Sequence, residues 1–468
     1  MDNQEKNKGL GISTKSFLAA LLILLILMCV SYLITFIVPG GTYNRVIAAN
    51  GAESIEPDTF REVQGGLPFW KWLLSPFLVL GAPGSGTIIA VLAFLLVIGG
   101  VFCALDKCGM MRYMLQKIVY RFGQRRYVLL AVIILFFMCM GAFIGSFEEC
   151  VPLVPIVVGL AVALGFDELT GLGMSLLATG CGFASGVCNP FTVGVAQELC
   201  ALPMFSGMWL RLICFAIIYG MVFFFVWHHA KRVAKPLDAS AVAADFERNE
   251  KLDRALWVFA ALLGVGMLLV LSSVFIKAIQ DYTMIVVALT FLLAGVVATL
   301  VSGMSPKHLG WYFLRGVIDI LPAVLMILMA SSIKYTLSEA HVLDSILHYT
   351  VGLAEQLPSF MMVLFIYLIV LVMNFFISSG SAKAFLLIPI VVPLAKLFGV
   401  SAQLSVLAFA FGDGFSNILY PTNPVLLISL GLAGISYAKW FKWTWLFQLV
   451  MLVVTSLVLL CGYAMGYC

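Results

Sequence analysis

The stretch Leu153–Leu164 reads LVPIVVGLAVAL, and Leu387–Phe398 reads LIPIVVPLAKLF, so the chain carries nearly the same twelve residues twice. The likeness continues downstream, where GCGFASGVCNP at 180–190 is followed, half a chain length later, by GDGFSNILYP at 412–421. The copies keep their order along the chain. The sequence therefore consists largely of two related units, and the relation between these units decides the fold.

The composition indicates the class of protein. Of 468 residues, 62% are hydrophobic and 11% are charged, and the mean hydropathy is +1.08, as is typical of a chain that crosses a membrane many times. The apolar run at 17–38 is too long for a signal peptide and lacks a small-residue cleavage site, so we expect a first transmembrane helix there. The eleven cysteines form no Cys-x-x-Cys pair, and we expect neither metal sites nor disulfides.

Apolar runs of about 20 residues, enough to cross a bilayer, predict an all-α polytopic membrane protein. The predicted single spans are 17–38, 84–105, 207–227, 254–276, 281–302, 317–337 and 442–464. The regions 127–165 and 358–398 carry small or polar residues at their midpoints, which predicts re-entrant hairpins. The regions 168–204 and 402–437 are interrupted by prolines, which end a helix. Counting these two as broken helices, we expect about nine crossings plus two hairpins.

Charged residues predict the orientation of the chain. The segment 107–126 carries six basic residues and no acid, which places it in the cytoplasm by the positive-inside rule. The acid-rich loop 39–66 and the segment 335–357, which has no lysine or arginine, are placed outside. Lysines 6, 8 and 15 put the amino end in the cytoplasm, and the carboxyl end is then external. The two units enter the membrane from opposite sides, so the repeats are inverted.

Inverted repeats with interrupted helices are typical of secondary transporters, because such units exchange inward and outward states around a midplane site. Since irregular backbone is not tolerated against lipid, the hairpin tips and helix breaks should face one another or a wet cavity. The predicted organisation is a first scaffold helix and external loop at 1–83, repeat 1 at 84–227, a cytoplasmic linker at 228–253, scaffold helices at 254–316 and repeat 2 at 317–468.

Four charged residues lie at these interruptions. Glu148 and Glu149 are at the first hairpin tip, Asp413 is beside the second helix break, and Lys383 lies just past the second tip. Ionisable groups inside a membrane are costly and mark substrate paths, proton relays or counter-ions. Because Lys383 neutralises only one of the three acids, the site keeps a net negative charge, which suits a cationic group or a transferable proton.

Hydroxyl and amide side chains at the tips and breaks form a second set. With the amides of helix N-termini, they are suited to bind a substrate carboxylate. This set contains Ser146, Asn189, Thr192, Ser378, Ser379, Ser381, Asn417, Thr422 and Asn423. The pair His228–His229, in contrast, lies in the basic linker, and we expect it to be solvated rather than to bind a metal.

Two motifs resemble those of a known transporter family. The segments SSGSAKAFLLIPI at 378–390 and FGDGFSNILYPTNP at 411–424 resemble the four-carbon dicarboxylate anaerobic carrier family, and within it the YfcC-like branch of basic amino-acid antiporters. The resemblance implies an elevator-type transporter and a sodium site near Asn189 and Asn423. It also implies a homodimer whose scaffold is formed by the spans outside the repeats.

The expected function is therefore secondary active transport in the cytoplasmic (inner) membrane of a bacterium. The favoured substrate is a basic amino acid of the arginine or ornithine type, carried by antiport or with a coupling ion, either sodium or a proton. A proton- or sodium-coupled dicarboxylate transporter is the alternative. A channel and an intramembrane protease are the rival classes; since no P-loop or His-Glu-x-x-His pattern occurs, we expect no enzyme. The expected partners are the substrate and the bilayer, with no nucleic acid and no cofactor.

Overall fold

A computed structural model describes residues 14–47, 53–56, 59–83, 85–236, 248–272, 283–352 and 357–468. Four of the charges that predicted the orientation, those of Lys6, Lys8, Asp58 and Glu355, lie outside the described residues. Almost everything described is helical. The segment 39–66 is the exception to the all-α prediction, because it forms two small antiparallel sheets whose strands are two or three residues long and carry no readable alternation.

The helices of the first half, with the four short strands, are as follows. They are α1 Thr14–Ile37, β1 Gly41–Thr42, β2 Arg45–Ile47, β3 Glu53–Ile55, β4 Arg61–Glu62, α2 Phe69–Leu78, α3 Gly86–Lys107, α4 Met110–Phe122, α5 Arg126–Cys139, α6 Val154–Ala163, α7 Glu168–Leu172, α8 Ala178–Ser185, α9 Val195–Leu199 and α10 Met208–Val233. Short π and 3₁₀ turns extend several of them, at Met140–Ile144, Glu148–Leu153, Gly173–Leu177 and Pro190–Gly194.

The second half contains helices joined by short turns and no strand among its described residues. Its helices are α11 Glu250–Ser272, α12 Thr283–Val301, α13 Pro306–Glu339, α14 Val342–Gly352, α15 Ser359–Phe376, α16 Gly380–Leu397, α17 Ala402–Asn417, α18 Pro424–Leu432 and α19 Tyr437–Ala464. Helix α13 exceeds the predicted span 317–337 at its amino end, where Ser305 caps it by accepting a hydrogen bond from the His308 amide.

Seven helices in the described part of the chain are long and apolar enough to cross a membrane. They are Ile88–Lys107, Met110–Ile144, Glu168–Leu199, Met208–Val233, Pro306–Glu339, Gly380–Leu397 and Tyr437–Ala464. Four shorter apolar helices accompany them, at Leu21–Ile37, Phe69–Gly81, Ile285–Val301 and Phe360–Phe376. The chain is therefore a multi-pass membrane protein.

The chain turns at each of the four predicted interruptions, and the two halves use the same local chemistry. Gly145 (φ +75°) and Gly186 (φ +51°) end helical segments in the left-handed conformation, which glycine adopts without steric cost. After the breaks, Asn189 and Asn423 each cap a new helix that has proline at its first position. Each asparagine Oδ1 accepts a backbone N–H at 2.9 Å, from Phe191 in one half and Val425 in the other.

The first arms of the two broken helices, α8 and α17, lie against one another in the centre of the molecule, and every residue of both is buried. Glycines make this approach close. A Cβ on Gly414 would come within 2.2 Å of the Ala184 Cα, and a Cβ on Gly182 would come within 2.1 Å of the Met138 carbonyl oxygen in α5. Larger residues at these glycines would separate the helices that carry the candidate site.

The histidine pair lies in a helix rather than a loop, so the prediction of a solvated loop is wrong for the backbone and for His229. Helix α10 continues to Val233 because no glycine or proline occurs between Gly220 and Pro236, and Lys231 and Arg232 in its last turn suit the negative end of the helix dipole. His228 is exposed, but His229 is half-buried and its Nε2 lies 3.0 Å from a carboxylate oxygen of Asp167. This pair joins α10 to the turn that precedes α7.

Asp167 therefore has a measurable role in stability. Burial alone would raise its pKa, but hydrogen bonds from the His229 ring and from the Thr170 hydroxyl and amide outweigh burial and lower the pKa to about 2. A carboxylate whose pKa is lower in the folded protein than in the unfolded chain stabilises the fold at every pH above the unfolded-state pKa. This stabilisation disappears as the pH falls through the folded-state pKa.

We expect Asp167→Asn to cost about 1–2 kcal/mol at pH 5, after an allowance for solvent screening of a partly exposed pair. Most of the cost should be lost as the pH approaches 2, since about half of the wild-type carboxyl is then protonated. Melting temperatures of both proteins between pH 5 and pH 2 check this. Glu168→Gln is the neighbouring control, because Glu168 has no ion pair within the described residues. A cost that stays constant down to pH 2 would contradict the assignment.

Candidate functional site

A buried ion pair lies at the centre of the candidate site. The Lys383 Nζ in the first turns of α16 is 2.6 Å from Asp413 Oδ1 on α17, and neither side chain has any exposed surface. Lys383 also donates to the Ile377 carbonyl at 3.1 Å and contacts the Asn374 side-chain oxygen. Of the three acids that Lys383 could neutralise, the structure pairs it with Asp413.

Asn374, on α15, connects this pair to the second helix break. Its Nδ2 lies 2.6 Å from Ser416 Oγ, 2.9 Å from Asn417 Oδ1 and 3.2 Å from the Asp413 carbonyl oxygen. Asn417 Oδ1 also accepts a hydrogen bond of 2.9 Å from Asn423 Nδ2. Sequence reasoning missed Asn374 and Ser416. The available signal was an isolated amide in the otherwise apolar run of α15, where an unpaired polar group would be costly.

The first half of the chain contributes to the same place. A Cβ on Gly380, at the second tip, would meet the Thr192 side chain at 2.6 Å and Asp413 Oδ2 at 2.8 Å. A Cβ on Gly145, at the first tip, would lie 2.3 Å from Asn189 Oδ1. The first helix break therefore touches both segments that were predicted as hairpin tips, and the interruptions of the two halves converge.

The two glutamates of the first tip are half-buried and differ from Asp413 in having no cation beside them. Within the described part of the chain, no lysine, arginine or histidine nitrogen lies within 4 Å of either carboxylate. Glu148 is within electrostatic range of Asp413, and Glu149 is within range of Glu148. Glu149, Glu148 and Asp413 therefore lie within electrostatic range of one another in series, and Lys383 pairs with Asp413.

Six of the predicted residues also carry a buried polar atom without a hydrogen-bond partner in the protein. These atoms are Ser146 Oγ, Glu149 Oε2, Asn189 Nδ2, Thr192 Oγ1, Asp413 Oδ2 and Thr422 Oγ1. Buried polar groups in folded proteins are almost always hydrogen-bonded to protein, water or ligand. Six unsatisfied groups at converging interruptions therefore indicate a place where water or a polar ligand binds.

The serines of the second tip have different surroundings. Ser379 is exposed and caps α16, accepting a hydrogen bond of 3.5 Å from the Ala382 amide, and Ser378 and Ser381 are half-buried. At the two asparagines expected near sodium, the Oδ1 atoms already accept two backbone N–H groups each.

Comparison with known proteins gives the family. The model of the family described as "C4-dicarboxylate anaerobic carrier" (DcuC) matches residues 17–464. The Escherichia coli (strain K12) protein named "Putative basic amino acid antiporter YfcC" is 31% identical over 405 residues, which cover 82% of this chain and 79% of that protein. An uncharacterised protein of Haemophilus influenzae is 24% identical over 389 residues, covering 80% and 76% of the two chains.

Solved structures of two transporters are also similar. The Alcanivorax borkumensis YdaH transporter covers 96% of this chain and 98% of its own, with a TM-score of 0.46 and 17% identity. Neisseria gonorrhoeae MtrF, from a class of antimetabolite efflux pumps, covers 94% of both chains with a TM-score of 0.44 and 14% identity. The family match over nearly the whole length is decisive: the chain belongs to the C4-dicarboxylate anaerobic carrier family of transporters.

Proposed function

We propose that this protein is a secondary active transporter that carries a basic amino acid across the cytoplasmic membrane of a bacterium. The observation that carries the proposal is the charge of the site. Lys383 is fully engaged by Asp413, whereas Glu148 and Glu149 have no cationic partner among the described residues. An unpaired carboxylate in a poorly solvated site stabilises a cation and disfavours a second anion.

The uncharged groups of the site suit the other end of an amino acid. The Asn189 Nδ2 amide and the hydroxyls of Ser146, Thr192 and Thr422 are buried donors without partners. Together they offer hydrogen bonds to a carboxylate, and charge-assisted hydrogen bonds are about twice as strong as neutral ones. An arginine-type substrate would then place its carboxylate near the breaks and its cationic group near the first tip. The name of the Escherichia coli relative agrees with this choice.

A dicarboxylate is the second candidate, and the family description favours it. The same donors would bind one carboxylate, but the second would lie near Glu148 and Glu149. Such a carrier would need both glutamates protonated or bound to sodium ions. An intramembrane protease is disfavoured, because Asp413 pairs with a lysine rather than with a second aspartate.

The proposed mechanism follows from the matching halves. Proline-led helices capped by Asn189 and Asn423, and helix–turn–helix segments beside each of them, support two inverted repeats with re-entrant hairpins. We propose about nine crossings, an elevator-type movement of the hairpin-bearing unit, and a homodimer. Antiport or ion-coupled symport, with a proton or sodium, completes the proposal.

Contacts between segments that are distant in sequence support the proposed orientation. On the face assigned to the outside, Arg45 binds Asp344 at 3.1 Å, and the Tyr467 hydroxyl donates to the Gly207 carbonyl at 2.6 Å. Each contact joins two segments that the charge pattern places on the same side. The carboxyl end therefore lies beside the start of α10, which the predicted threading of the chain also places outside.

The opposite face shows the same agreement. Arg126 donates to the carbonyl oxygens of Leu164 at 3.1 Å and Lys235 at 3.0 Å, and Lys117 pairs with Asp253. All of these segments were assigned to the cytoplasm. By the positive-inside rule, this basic face is the cytoplasmic one.

Cysteine labelling tests this orientation. In a variant without its native cysteines, we expect a cysteine at Gln124 to react with an impermeant maleimide only in inverted vesicles. A cysteine at Tyr349, which is 46% exposed, should react only in intact cells. Labelling of both positions from one side would end the inverted-repeat proposal.

Counterflow tests the proposed function itself. Proteoliposomes preloaded with unlabelled arginine should take up labelled arginine several-fold faster than empty ones, because a carrier returns loaded faster than it returns empty. Protein-free liposomes serve as the control. A channel shows no such trans-stimulation, and an enzyme yields a chemically altered product. Either result would overturn the transporter proposal.

A further inference from the structure

A cavity of about 770 Å³ lies away from the buried ion pair, on the face assigned to the cytoplasm. This volume falls within the usual range of ligand pockets, roughly 300–1,000 Å³. Two walls enclose the cavity. One is formed by the end of α3 and one side of α4, and the other by α6 and the end of α18. None of the residues predicted for the substrate site lines it.

The two walls are apolar where they face each other. Phe102, Met111 and Leu115 line one side, and Val158 and Leu432 line the other. Along α6, the lining positions recur at helical spacing, so one continuous stripe of that helix faces the cavity. A slot of this shape between transmembrane helices suits a hydrocarbon chain.

The lining of the cavity and of its mouth contains two basic and two acidic side chains. Arg112 and Lys439 line the mouth, both are exposed, and neither pairs with an acid within the described residues. Two acids also line the cavity. Asp106 is 3.7 Å from Lys107, and Glu168 lies in the first turn of α7, where the helix dipole favours an acid. The two unpaired cations therefore remain available to an anion.

We propose that this cavity binds one anionic phospholipid, with its phosphate between Arg112 and Lys439 and an acyl chain between the apolar walls. Basic pockets between transmembrane helices on the cytoplasmic side attract anionic headgroups, since that leaflet surface is negatively charged. The segment 107–126, which borders the mouth, has six basic residues and no acid. The inference is independent of the transported substrate.

Thermal unfolding of the purified, delipidated protein tests this. Dioleoylphosphatidylglycerol should raise the melting temperature by about 5 °C at saturation. Dioleoylphosphatidylcholine, which lacks the net charge, and glycerol 3-phosphate, which lacks the chains, should produce little change. Equal shifts with both lipids would overturn charge recognition. An equal shift with glycerol 3-phosphate would show that the site binds a free phosphate rather than a lipid.

Variants locate the site. Arg112→Gln with Lys439→Gln should abolish the phosphatidylglycerol shift, whereas Arg121→Gln with Arg125→Gln, which removes the same charge from the neighbouring exposed surface, should preserve it. Gly159→Phe fills the slot instead, because a Cβ there already meets a Leu115 methyl at 3.2 Å. Gly159→Phe should also abolish the phosphatidylglycerol shift. If the Arg112→Gln and Lys439→Gln variant does not fold, Gly159→Phe still tests whether the lipid binds in this cavity. Retention of the shift in Gly159→Phe would overturn the proposal.

Discussion

Replacing Lys383 by glutamine is expected to lower the free energy of unfolding by about 3–5 kcal/mol, because the change leaves Asp413 buried without its counter-charge. The Lys383 and Asp413 side chains have no exposed surface, and their charged atoms are 2.6 Å apart. Asp413→Asn should be similarly severe, since it leaves an unpaired ammonium group instead. Melting of each purified variant in detergent measures the effect.

Combining Lys383→Gln with Asp413→Asn should recover most of the lost stability, because neither charge then remains buried alone. Lys396→Gln, at the exposed far end of the same helix, is the matched control and should melt like the wild type. A double variant that is no more stable than the single ones would show that the pair is not the cause. All variants of the pair should transport poorly, since Asp413 Oδ2 faces the second tip at Gly380.

Neutralising the first tip is expected to produce the largest effects on transport. Glu149→Gln should raise the dissociation constant for arginine at least tenfold, a factor that corresponds to about 1.4 kcal/mol. Its Oε2 is buried without a partner, so it can receive the cationic end of the substrate. Equilibrium binding of labelled arginine to purified protein measures this.

Glu148→Gln should have a different effect. Glu148 lies within electrostatic range of Asp413, and, unlike Glu149, it has no buried carboxylate oxygen without a hydrogen-bond partner. If it carries the coupling proton or ion, its loss abolishes concentrative uptake but leaves counterflow partly intact. Glu168→Gln, an acid remote from the tips, is the control for both variants. Wild-type binding and uptake in Glu148→Gln and Glu149→Gln together would remove the glutamates from the mechanism.

Local signals were sufficient for much of this fold. Proline after asparagine in CNPFT and YPTNP predicted helix breaks, and both asparagines cap the following helix as this chemistry requires. The length of the apolar runs predicted a multi-pass protein. The charges in the loops assigned segments to the same side of the membrane, and the structure brings these segments into contact. These features depend on neighbours in sequence, which a single chain displays.

Features that depend on distant residues were not predicted. The sequence indicated that Lys383 neutralises one acid, but the choice of Asp413 depends on how α16 and α17 pack. Asn374 gave only the weak signal of an amide in an apolar run, and its partners lie on another helix. The pairing of His229 with Asp167 similarly joins segments separated in sequence. The four short strands were missed because a strand of two or three residues is too short to show the alternation of apolar and polar residues that predicts a strand.

The central claim is that the site holds a cationic amino acid, and competition for uptake tests it most directly. Wild-type proteoliposomes at neutral pH are given labelled arginine with an excess of ornithine, lysine, succinate or fumarate. The two unpaired glutamates predict that ornithine and lysine abolish the uptake of label, while the dicarboxylates leave it unchanged. Inhibition by succinate or fumarate, with no effect of ornithine or lysine, would contradict the account and favour a dicarboxylate carrier.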